Sequence, residues 1–173
     1  MSKVSFAHQS ASGGLKMSDS ILLPGITQPQ LSTSPIYKGS NFTWGEATKD
    51  GRRIPVQTNF DGVTISAAQI TANIVKIARE LDKIRAAFGD NPIIITSWYR
   101  DPVSNRSVGG VRNSQHLLGW AADIQVQGYD PNTVAAKISD TWSGGLGDSS
   151  AFTHLDLRHL MGWSSARWDY GFA

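Results

Sequence analysis

The chain of 173 residues contains no cysteine. That absence excludes disulfide frameworks, thiolate metal sites and cysteine nucleophiles together, so any bound metal must be held by His, Asp or Glu. Histidine is scarce too, with four in all: His8, His116, His154 and His159. Long apolar runs are missing: Ile93 to Ile95 falls far short of the roughly 20 residues that a membrane-spanning helix needs. No apolar h-region follows the start MSKVSFAHQS, so no secretory signal peptide is visible and the compartment stays unassigned. Charge of one sign is not in excess. Sixteen Lys and Arg against 14 Asp and Glu give +2, scattered rather than clustered, which does not argue for nucleic acid.

What is present suits one packed core. The chain is 40% apolar, enough for one domain and too short for two full ones. Residues 1–40, rich in Ser, Gly, Pro and Gln, read as a leader or linker, with Met17 a possible internal start, and residues 41–173 read as the domain. Phe42 and Trp44 anchor a short helical or irregular element, with a turn signal at Asp50 and Gly51. Ile70, Ile74, Ile77, Leu81, Ile84 and Phe88 recur at steps of four and three, which predicts an amphipathic helix of about 22 residues. Ser66 and Gln69 form its capping box and Gly89 stops it.

The β-branched run 93–96 predicts a buried strand ending at Trp98, Tyr99 and Arg100. A loop with Asp101, Pro102, Gly109 and Gly110 leads to His116, and residues 121–127 read as a second strand. Asp130 caps and Pro131 opens a helix reaching Trp142. After a turn at GGLG comes a third strand, 152–158, whose period of two puts His154, Asp156 and Arg158 on one face and Thr153, Leu155 and Leu157 on the other. The expected architecture is α+β: a single domain with a small, largely antiparallel sheet flanked by helices.

SQHLLGWAADI, residues 114–124, holds the chemistry. His116 just before a strand and Asp123 within it, with Gly119 allowing a sharp turn between, can point at one cation, and His154 on the next strand can complete a three-ligand site. Three protein ligands are what a catalytic zinc has, the fourth position remaining open.

SWYRDPVSNRSVGG (97–110), SQHLLGWAADI and FTHLDLR (152–158) together resemble the peptidase M15 family, the zinc D-alanyl-D-alanine carboxypeptidases and related cell-wall endopeptidases. Ser114, His116, Gly119, Ala121 and Asp123 match the family's Ser-x-His-x-x-Gly-x-Ala-x-Asp element, and Ser97, Tyr99 and Arg100 match its strand end. The resemblance implies the fold shared with the hedgehog signalling domain, a zinc ion on His116, Asp123 and His154, and a peptidoglycan stem peptide as substrate. It also implies that Arg100 steadies a substrate carboxylate or developing oxyanion. Tyr99, Asn105 and Ser114 are the further candidates for the cleft, and a monomer is expected.

One departure stands out. Several branches carry an acidic residue three before the last metal His or a His-x-His pair, where this chain has Ala151 and His154-Leu155-Asp156. Asp156 therefore becomes the candidate base. A hydrogen bond to a ligand His, or an exchange of roles with His154, are the alternatives. Two rival functions remain: a cell-wall-binding module that keeps the fold without turnover, and a lytic effector delivered by a phage tail or injection apparatus.

Overall fold

The computed structural model describes residues 20–171. His8, the SASGG segment and Met17 lie outside the described residues.

Helix α2, Ala67–Ala87, organises the core. Ile70, Ile74, Ile77 and Leu81 are fully buried along one face, and Ile84 and Phe88 nearly so. Each such side chain contributes about 1.5–3 kcal/mol on burial. Ser66 Oγ accepts from the Gln69 N–H at 3.2 Å while Gln69 Oε1 accepts from the Ser66 N–H at 2.8 Å, so the capping box is reciprocal. Gly89, at φ +68°, carries the chain away from the far end.

Against this helix lies a five-stranded sheet in the order β5-β6-β8-β7-β9: Ile93–Ser97, Ala121–Val126, Thr153–Asp156, Gly145–Asp148 and Ala166–Asp169. Its first three pairings are antiparallel and β7 with β9 is parallel. The α+β architecture and the largely antiparallel sheet agree with the sequence reading. Two-stranded ribbons flank it: β1 (Ser20–Ile21) with β2 (Gln30–Leu31), and β3 (Thr58–Phe60) with β4 (Val63–Ile65). Asp61 and Gly62 both have positive φ in the β3–β4 turn, which matches the right-handed strand twist. Ile21, Leu23 and Ile36, from the stretch read as leader, pack in the common core.

Several elements differ from expectation. Strand β5 is an edge strand, not a buried one, and Ile94 is 52% exposed. The expected loop after Arg100 contains helix α3, Pro102–Ser107, because Asp101 accepts from the Val103 and Ser104 N–H groups, both at 2.9 Å, with Pro102 in the first turn. Helix α4, Pro131–Ile138, stops short of Trp142, whose indole N–H turns back to the Gly145 carbonyl at 2.8 Å. The segment read as a turn at 144–147 largely forms β7, and β9, four residues of mixed character, is not predicted. Helix α1, Trp44–Thr48, carries the Trp44 anchor into the core with Phe42 beside it. Among the described residues no helix is long and apolar enough to cross a membrane.

Candidate metal centre

Three elements deliver the site. His116 sits in a 3-10 turn, Gln115–Leu118, which Gly119 at φ +69° closes before β6. A side chain at Gly119 would press on Ile70 and Ile74 of α2, so glycine serves both the turn and the packing. Asp123 lies on β6 and His154 opposite it on β8, the two being direct cross-strand partners. Side chains at such positions share a face and meet.

The geometry is specific to the atom. His116 Nδ1 is 2.6 Å from the Trp98 carbonyl, which can only accept, so Nδ1 carries the proton and Nε2 is left as a free lone pair. Nε2 faces Asp123 Oδ1 at 3.2 Å, and His154 Nδ1 faces the same oxygen at 2.7 Å. One ligand atom from each of the three residues falls within 4.8 Å of the others, and all three side chains are buried. Two nitrogens and one oxygen converging from buried side chains fit a divalent cation of the zinc type.

Around these donors stands an outer layer. Arg100 donates from Nη2 to Asp123 Oδ2 at 2.6 Å and from Nε to Ser97 Oγ at 2.8 Å, leaving Nη1 without a partner among the described residues. Asp156 is wholly enclosed. Its Oδ2 lies 3.4 Å from His154 Nε2, and it accepts from the Gly145 N–H at 2.9 Å and from Nε and Nη2 of Arg158 at 2.7–3.1 Å. Carboxylate, histidine and metal-facing nitrogen are thus in line, the arrangement that fixes ring orientation in metal sites.

Charge follows from these contacts. Burial works to raise the Asp123 carboxyl, but His116 and His154 outweigh it and hold the group far below the usual carboxylate range. Asp156 is likewise held down against its burial by His154 and Arg158. Burial lowers the pKa of His116, keeping the imidazole neutral as a metal ligand must be. For His154 burial also works downward, and the bonds to Asp123 and Asp156 reverse it.

The remaining candidates distribute unevenly. Ser114 lines the metal cleft, a space of about 410 Å³. Tyr99 is almost fully buried, its hydroxyl accepting from the Val56 N–H at 3.1 Å. Asn105 is absent from the cleft wall and instead ties down the Gly110 and Val111 carbonyls, at 3.2 and 3.0 Å, which shapes that wall from behind. His159 is exposed and lies away from the metal cleft, as does Trp120. The sequence suggests a core or cleft-wall place for Trp168, which does line the metal cleft, and no role for Arg158, Tyr170 or Gln115. Trp168 packs against His154 with ring centroids 5.2 Å apart and planes tilted by 51°, and carries the Arg158 guanidinium 4.9 Å from its own centroid. The alternation along β8 already placed Arg158 on the face of His154, whereas Trp168 arrives on β9, too short for its pattern to read as a strand. Gln115 lines the cleft with a buried amide that has no partner among the described residues.

The peptidase M15 family matches residues 51–156, a span that includes Arg100, His116, Asp123, His154 and Asp156. The chain belongs to the peptidase M15 family. Over 99 residues it is 34% identical to the zinc D-Ala-D-Ala carboxypeptidase of Streptomyces albus G, an alignment covering 56% of this chain and 36% of that protein. The chain therefore spans about a third of the length of that M15 relative.

Proposed function

We propose that this M15 chain is a zinc-dependent peptidase that hydrolyses a peptide bond in bacterial peptidoglycan stem peptides. The carrying observation is the convergence of His116 Nε2, Asp123 Oδ1 and His154 Nδ1 in a buried cluster at the floor of an open cleft. These three residues would hold the ion. When bound, zinc supplies a Lewis acid that polarises the scissile carbonyl and acidifies a water at neutral pH. The name of the Streptomyces albus G relative supports both the metal and the substrate class.

The chain's own groups have separable tasks. Arg100 holds Asp123 through Oδ2 and keeps Nη1 free to donate to an oxyanion developing on the scissile carbonyl, a task suited to a permanent charge in a fixed fork. Ser114 orients substrate from the cleft wall, and Tyr99 stiffens the neighbouring wall. Asp156 has two possible roles, base or orienting partner. Its enclosure and the donors around it favour the second, since a base must reach the proton it removes.

That same enclosure, with Ala151 offering no acid, supports a second reading in which the chain binds cell wall without cutting it. Digestion of purified peptidoglycan with mass spectrometry of the fragments, with and without chelator, decides between them. Chelator-sensitive release of peptide fragments is expected, and no release by zinc-loaded protein would leave the binding module.

A further inference from the structure

Arg100, Val108, Asp123 and Phe152 line two clefts at once. One is the metal cleft. The other runs beside α1 and along β5 and is the larger, about 740 Å³. Because Arg100 and Asp123 belong to both, the two clefts adjoin at the His116–Asp123–His154 cluster.

The larger cleft has the makings of a peptide-binding surface. Ile95, Thr96 and Ser97 of β5 line it, and β5 pairs with β6 on one side and with no described strand on the other. An edge of this kind offers backbone donors and acceptors to an extended chain. Cations and carboxylates are balanced along the cleft, and two of the cations stand without a partner. Lys49 and Arg53 line it, and no group among the described residues engages either side chain. Each carboxylate there has a donor of its own: Glu46 accepts from the Thr43 N–H at 2.7 Å, Asp50 faces Arg52 at 3.5 Å and Asp123 is held by Arg100.

We infer that the larger cleft is the second half of the substrate groove. It binds an acidic stretch of the same peptide continuing past the scissile bond, with Arg53 and Lys49 pairing its carboxylates. The bond cut then lies inside a peptide chain and not at its C-terminal residue. This rests on the hydrolase reading above. Removing a single terminal residue calls for a wall and a free cation just beyond the metal. Here the cluster borders a second cleft, and Arg100 already has two of its three nitrogens engaged.

The test uses the full chain and stem peptides with free or amidated C-termini. Zinc-loaded protein is expected to cut the amidated peptide at an internal bond, within about twofold of the rate for the free acid. The Lys49→Gln, Arg53→Gln double variant should keep its zinc and lose at least tenfold in kcat/KM through KM. Cutting confined to free-acid peptides, with release of one terminal residue, overturns the inference. Calorimetric titration of chelator-treated protein with the amidated peptide separates this inference from the hydrolase reading. If nothing is cut but wild type binds about tenfold tighter than the double variant, hydrolysis is refuted and the groove stands. Equal affinity of the two proteins overturns the groove whatever the turnover.

Discussion

Arg100 and Asp123 form a partly buried ion pair, Nη2 to Oδ2 at 2.6 Å, that leaves Oδ1 as the oxygen facing both histidines. The arginine therefore fixes the proposed ligand, in addition to the role proposed for it toward substrate. Arg100→Ala is expected to weaken zinc binding about tenfold to a hundredfold, the usual effect of losing an outer partner of a ligand. At saturating zinc it should still lose roughly a hundredfold or more in turnover, as for one oxyanion donor. Competition with a calibrated chelator and kcat at excess zinc measure the two separately. Unchanged metal affinity would show that the ion pair does not orient Asp123.

His116→Ala removes a proposed ligand outright. Elemental analysis of protein purified without added metal should find close to one zinc per wild-type chain and little in the variant. Undiminished zinc would move the site elsewhere.

Asp156→Asn separates base from orienting partner. An orienting role predicts weaker zinc binding, by about tenfold to a hundredfold, with most activity restored by excess zinc. A base predicts intact metal binding and an activity loss that zinc cannot repair.

The three proposed ligands were legible because each carries its own marker: two sit in a dense motif, and the third sits on a strand whose alternation is plain. Helix α2 was legible for the same reason, its apolar residues being local and periodic. Strand β7 was not. Its Gly-Leu-Gly-Asp reads as a turn, and the cause of those glycines lies far along the chain. A Cβ on Gly145 would collide with the Asp156 carboxylate and the Arg158 guanidinium, and one on Gly147 would meet the Trp168 indole. The Arg100–Asp123 pair was hidden similarly, since a 23-residue separation in sequence says nothing of a 2.6 Å contact.

Gly145→Ala follows from that crowding. The added methyl must displace Asp156 or Arg158, so zinc affinity should fall while the fold, held by α2 and the sheet, persists. Circular dichroism together with chelator competition tests this. Unchanged affinity would show that Asp156 can shift without disturbing His154.

Burial pushes the Tyr99 phenol up to about 12, and burial together with Asp82 does the same for Tyr37. A folded-state pKa raised above the ordinary value of about 10 gives stability fully present below pH 10 and lost as pH rises through the folded value. Melting temperature should fall between about pH 10 and 12, and Tyr99→Phe should flatten part of the fall. An equally steep fall in the variant would assign the alkaline transition to other groups.

The irregular register between Ile95 and Ser97 where β5 meets β6 has a consequence for solubility. An open, flat sheet edge is a template for a second copy of the same chain, and runaway pairing of this kind ends in aggregation. A local bulge bends and twists the strand, so two such edges cannot lie straight against each other. A short flexible peptide can follow the bend where a second rigid sheet cannot. The irregularity that sets Ser97 opposite Asp123 thus also guards the edge, and straightening it would exchange a usable groove for a sticky one.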